Sequence, residues 1–217
     1  MTRHSSPRRR RLSKLAVALA LLGVGLVAVP AEPGHSAEAP PPVIGSLVGQ
    51  VLVATDDMPD PRFARTVIYM VHHDADGAQG LVVNRPLRDI PLAALLEQTG
   101  LDSKGITEMV RLHVGGPVQT FRVFVLHTPE YAGNNTMAVK NGFSLTWDPE
   151  ILKAIAEGKG PRRKLFIMGY AGWAPGQLEA EMKTGAWVRA SADEALVFDD
   201  NYDTKWDRAI ARRKIDL

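Results

Sequence analysis

The sequence predicts an α+β fold built on a mixed or antiparallel sheet. Three observations point there. Strand-like segments come early and in hairpin order, helical segments are interspersed late, and no regular strand–helix–strand alternation argues for a doubly wound parallel sheet. The 217 residues are 45% hydrophobic and 23% charged, enough apolar side chain for one well-buried domain and too much for a disordered chain.

The elements follow in order. Leu47 to Ala54 reads as a mostly buried strand. Thr55 to Arg65, with two prolines and three aspartates, reads as a loop. Thr66 to His73 is β-branched and apolar, a second strand; Asp74-Ala75-Asp76-Gly77 is turn chemistry. Gly80 to Asn84 is a third strand, the hairpin partner of the second, stopped by Arg85-Pro86. Leu92, Leu95 and Leu96 stand on one face of a short helix ended by Gly100. Val110–Val114 and Arg122–His127 are strands flanking a sharp turn at Gly115-Gly116-Pro117, and Ala138 to Leu145 a further short strand. A helix starts at Asp148 or Pro149 and ends at Gly158; Lys164–Met168 is a buried strand. Gln177–Lys183 is helical, Trp187–Arg189 a strand, and Trp206, Ala209, Ile210 and Arg213 mark a last helix capped by Thr204.

The N-terminus has its own character. Arg3, Arg8 to Arg11 and Lys14 precede fifteen uncharged residues, Leu15 to Val29, and then Pro30-Ala31-Glu32-Pro33-Gly34-His35-Ser36-Ala37. This is the three-part pattern of a secretory signal peptide, and the apolar run is short of the ~20 residues that span a bilayer. Arg9 to Lys14 partly resembles a twin-arginine signal. Cleavage after Ala37 (or after Ala31) divides the chain into a leader over 1–37, a Pro-rich linker over 38–45 and one domain over 46–217. The first 42 residues hold six basic residues against two acidic ones, and the rest 20 against 22. The basic excess thus belongs to the leader, and the weakly acidic domain gives no reason to expect nucleic acid. The chain has no cysteine, which excludes disulfides, thiol nucleophiles and thiolate metal sites.

Several segments together resemble one family. They are Gln50–Ala54, Met58–Phe63, Gly80–Leu87, Gly115–Gln119, Val125–Pro129, Gly169–Trp173, Pro175–Glu179 and Lys205-Trp206. In order and spacing these eight blocks resemble the YqgE/AlgH family over about 46–212. The resemblance implies an α+β domain whose bifurcated sheet curls into a pseudo-barrel with flanking helices. It brings a transcriptional-regulator label from the alginate branch and no catalytic residues. The leader is a departure from the family pattern, and an exported protein does not meet the chromosome.

The first ligand candidate is Gly169–Glu179. A buried strand is expected to enter a glycine-rich turn and then a helix N-terminus, where free N–H groups hold anions. Its candidate residues are Gly169, Tyr170, Gly172, Trp173, Gly176 and Gln177: Gly172 and Gly176 would let backbone approach a ligand closely and Trp173 would stack on it; the alternative is a tight structural corner with Trp173 plugging the core. Gly115 and Gly116 either line a cleft or only turn the chain. Asn84 and Arg85 end a strand, and Arg85 either binds a carboxylate or phosphate or pairs with an acid of the Asp56–Arg62 loop. That loop lacks EF-hand spacing.

His127 is the remaining candidate, as a ligand contact or, in a rival reading, as a hydrolase residue beside a carboxylate. No GxSxG elbow accompanies it. His72 and His73 are strand neighbours that point to opposite faces, and no HExxH occurs, so no metal site is expected. No cofactor is expected. In the last helix Arg208, Arg212, Arg213 and Lys214 interleave with aspartates that screen them. The expected protein is an exported, periplasmic or extracellular, non-catalytic binding or regulatory module. It would bind a small anion or an envelope protein and touch membrane only through an uncleaved leader. A spurious leader would make it a cytosolic transcriptional regulator.

Overall fold

The computed structural model describes residues 45–214; the leader and the linker up to its last residue lie outside them. Strands β1 (Gln50–Ala54) and β2 (Val67–Asp74) are almost wholly buried and serve two cores at once. Side chains alternate between strand faces. Val51, Val53, Val67, Tyr69 and Val71 therefore enter one core, with Phe124, Leu126, Phe143 and Trp206. Leu52, Ala54, Ile68 and Met70 enter the other, with Ala171, Trp173, Leu178 and Trp187. A 3-10 turn at Pro61–Phe63 interrupts the loop between β1 and β2, nucleated by Asp60, whose side chain accepts from Arg62 N–H.

The remaining elements are β3 (Gly77–Val82), β4 (Pro86–Pro91), α1 (Leu92–Gln98), β5 (Met109–Val114), β6 (Val118–His127), β7 (Thr136–Ala138), β8 (Ser144–Thr146), α2 (Glu150–Ala156), β9 (Lys164–Trp173), α3 (Gln177–Lys183), β10 (Trp187–Ser191), α4 (Glu194–Val197) and α5 (Tyr202–Ile210). A third core lies between α1, α2 and the sheet, with Leu92, Leu95, Leu96, Ile151, Leu152 and Phe166. The class is α+β, with an antiparallel curled sheet that holds one parallel pair, β5 with β9. The strand order is β10-β1-β2-β3-β9-β6-β8-β7, with β4 and β5 as a side branch.

The branch is made at β9. Phe166, Ile167 and Met168 pair with β5 on one edge and with β6 on the other. Beyond Gly169 the first edge changes partner, and Ala171, Gly172 and Trp173 pair with β3. The segment Gly115-Gly116-Pro117 thus carries the chain from one edge of β9 to the other. It crosses β9 backbone on backbone. A Cβ on Gly116 would lie 2.1 Å from the Tyr170 carbonyl carbon, and one on Gly115 2.2 Å from Gly169 O. Gly115 also closes the fork: its N–H donates to Met168 O (2.8 Å), and its carbonyl accepts from Val82 N–H (3.1 Å).

Several sequence expectations change. Gly115-Gly116-Pro117 is a crossing, not a sharp turn between paired strands. Gly169 and Gly172 lie inside a ten-residue strand, because β9 runs on to Trp173. Ala138 to Leu145 divides into β7 and β8 around a turn. Strand β4 was hidden by its terminal prolines, which it tolerates because it pairs with β5 alone. The last helix begins at Tyr202 after Asn201, not at a Thr204 cap.

Candidate functional site

Two adjoining hollows form a groove over the C-terminal half of β9. Each has about 250 Å³, and Arg62, Phe63 and Pro117 line both. The first lobe adds Val82, Arg85, Val114, Gly116 and Thr120. The second adds Met58, Asp60, Gly172, Trp173, Gln177, Glu181 and Trp187. The groove therefore gathers the three segments singled out in the sequence. Arg85 and Gly116 reach the first lobe; Gly172, Trp173 and Gln177 reach the second.

Arg85 is half-buried. Its Nη2 donates to Ala64 O (3.0 Å) and Thr66 Oγ1 (2.7 Å). Burial pulls its pKa down from the ordinary value, and no carboxylate offsets this. The acid expected to pair with it, Asp60, is held instead by Arg62 through Nε (3.1 Å) and Nη2 (2.7 Å). Those hydrogen bonds hold the Asp60 carboxyl below the usual range. In the second lobe, Glu181 Oε2 accepts the indole N–H of both Trp173 (2.9 Å) and Trp187 (2.8 Å), and Oε1 accepts from Gln177 Nε2 (2.8 Å).

The other candidate residues lie apart from the lining. Gly115 and Gly169 are buried in the crossing. Tyr170 stands edge-on to Phe124, with centroids 6.0 Å apart. Gly176 takes φ +73° to start α3, and that helix is only seven residues long. The Asn84 amide completes local backbone: Oδ1 accepts from Val67 N–H (2.9 Å) and Nδ2 donates to Arg65 O (2.9 Å).

His127 is wholly buried at the far end of β6. Nδ1 lies 2.7 Å from Thr128 O and Nε2 2.8 Å from Thr146 Oγ1, so both ring nitrogens are engaged. Burial lowers its pKa. His72 is exposed and His73 buried, on opposite faces as their spacing requires. Leu47 N–H donates to His73 Nδ1 (3.1 Å), which assigns the proton to Nε2 and its bond to Glu179 (2.8 Å).

A polar cleft of about 530 Å³ lies along the N-terminal half of β9. Sequence reasoning missed it. His113, one of its lining residues, is buried, with Nε2 3.1 Å from Tyr202 Oη and Nδ1 3.3 Å from Phe166 O. Burial pulls His113 down to about 4, and Lys205 and Arg111 add to this. Lys205 is fully buried behind the cleft, its Nζ donating to Val83 O (3.2 Å), Val197 O (2.9 Å) and Asp199 O (2.9 Å). Desolvation pulls its pKa down to about 8. Arg208 is paired with Asp199, and Arg111 with Asp89. Arg212, just past α5, is held by Asp193 (2.9 Å), an acid outside the helix's own aspartates.

The forked sheet, its backbone crossing and the groove define a class of α+β half-barrel domains. The chain belongs to the AlgH-like family: the family model so described (DUF179) matches residues 51–217. A UPF0301 protein of Methylococcus capsulatus is 47% identical over 169 residues, covering 78% of this chain and 92% of its own. One of Afipia carboxidovorans is 46% identical, covering 79% and 85%. Among solved structures, the solution structure of the AlgH protein of Pseudomonas aeruginosa matches with a TM-score of 0.65 at 39% identity, covering 81% of this chain and 91% of that one. The family is one of uncharacterised function.

Proposed function

We propose that this chain is an exported, non-catalytic binding module whose groove captures a small organic anion with an apolar body. One observation carries the reading. Arg85 presents a half-buried guanidinium with no carboxylate partner among the described residues, beside an apolar wall of Phe63, Val82, Val114 and Pro117. Such a wall buries the ligand's body while the guanidinium fixes its charge. Both nitrogens of His127 are engaged within the core, which favours binding over a hydrolase reading.

Export rests on the leader: a basic start, an uncharged run and then Pro30 to Ala37. A periplasmic or secreted chain shortened at its N-terminus, found by fractionation and N-terminal sequencing, supports it. A cytosolic chain beginning near Ser46 overturns it. The ligand reading is tested by titrating benzoate, with neutral benzyl alcohol as control, and following the groove's amide resonances. Saturable binding of benzoate alone, weakened about tenfold or more in Arg85→Met, is expected. Equal binding of both compounds, or no loss in the variant, overturns it.

A further inference from the structure

We infer that the second lobe of the groove is a receptor for an organic cation, specifically an alkylammonium group. The inference rests on the groove being a binding face and adds a ligand end of opposite charge. The lobe has three charged side chains among its lining, and two of them cancel: Asp60 and Arg62 form a bidentate pair. Glu181 is left. Its oxygens accept three hydrogen bonds, all from neutral donors, the two indoles and the Gln177 amide. No cation lies within ion-pair distance of it among the described residues. Hydrogen bonds hold this part-buried carboxylate in place, and no charge of opposite sign stands beside it.

Aromatic rings stand around that charge, Phe63 half-buried and Trp173 and Trp187 buried. Trp173 and Trp187 meet edge to face with centroids 5.9 Å apart, and Phe63 meets Trp187 the same way at 5.7 Å. An inorganic cation needs several oxygen ligands, and this lobe offers one carboxylate already bonded three times. An alkylammonium differs. Its charge is spread over an apolar periphery, so it takes both the carboxylate's field and the aromatic surface. About 250 Å³ accommodates such a headgroup. The two lobes together then match a zwitterion, anionic end toward Arg85 and ammonium end toward Glu181.

The test uses the whole chain and three small probes. Choline carries the cation, 3,3-dimethylbutan-1-ol is its neutral isostere, and benzoate reports the Arg85 lobe. The readout is the pair of indole N–H resonances of Trp173 and Trp187. Choline should shift both saturably and the neutral isostere should not. Glu181→Gln should weaken choline about tenfold. Because Glu181 also holds two indoles, Phe63→Leu provides a second arm: it keeps the charge, removes one ring, and should weaken choline severalfold. Equal shifts from choline and the isostere, or no choline binding, overturn the inference. Benzoate binding alongside choline failure overturns it and leaves the Arg85 reading standing. Choline binding with benzoate failure does the reverse.

Discussion

The two ends of β9 make opposite use of charge. Along its N-terminal half lies the larger hollow, the cleft of about 530 Å³. Its buried cation, Lys205, is enclosed by three carbonyls with Asp199 Oδ1 at 3.8 Å, and the nearby Arg208 is bound to Asp199. Over the C-terminal half, the groove is smaller, yet Arg85 and Glu181 each lack a partner of opposite charge among the described residues. A protein interior tolerates charge only when it is compensated. The enclosure of Lys205 is explained by folding alone, although Arg163 and Lys164 on the cleft's lining form no ion pair among the described residues. Under the reading proposed above, Arg85 and Glu181 in the groove await the two ends of a ligand.

The largest effect expected is at the crossing that both ends share. Gly116→Ala drives a Cβ into the Tyr170 backbone at a φ of +151°, and backbone cannot yield as a side chain tip does. A loss of about 4 kcal/mol or more in urea unfolding is expected, or failure to fold. Ordinary stability in this variant would break the account of the fork.

Next comes acid. His113 takes up its proton near 6.5 when unfolded but only near 4 when folded, so the unfolded state binds more protons between those values. Stability should fall as pH drops from 6.5 towards 4, by up to about 3 kcal/mol, and His113→Gln should flatten that slope. His127, lowered in the same direction, adds to the fall and stays in the variant.

Lys205→Met tests the cleft directly, since it leaves three carbonyls without their donor. A loss of about 2 to 3 kcal/mol at pH 7 is expected, with benzoate and choline affinities unchanged in the folded protein. The wild-type charge itself opposes folding below pH 8. The contribution of Lys205 to stability should therefore rise between pH 8 and 10.5, read as the difference from Lys205→Met.

Arg85→Met should have the smallest effect on folding, about 1 kcal/mol or less, while abolishing most benzoate binding. A large stability loss would move Arg85 to the structural side of the comparison.

Much of this was legible from residue order. The two-face burial of β1 and β2, the leucine face of α1 and the extent of α3 follow from periodicity and turn chemistry. A close approach was expected at Gly172 and Gly176, by a ligand; the structure puts it at Gly115 and Gly116, by backbone. A single sequence shows that a Cβ is excluded, not what excludes it. The Arg85 end of the groove was visible because an arginine after a strand is conspicuous. Phe63 and Glu181 were not: one sat in a segment read as loop, the other resembled any exposed acid on a short helix. Two tryptophans on either side of Glu181, each with an N–H needing an acceptor, were the available signal. The cleft was invisible because His113 and Tyr202 are 89 residues apart.

The place of β9 in the chain also shapes how the protein is made. Strands β3, β5 and β6 all close onto it, yet all three emerge from the ribosome before Lys164. Until β9 arrives, the edges of β3, β5 and β6 that await it are bare, the feature that seeds association between chains. The pairings it completes are also distant in sequence, which slows folding. For the export proposed above, this interval would be the window of translocation competence. Once Lys164 to Trp173 is inserted between its neighbours, that window closes.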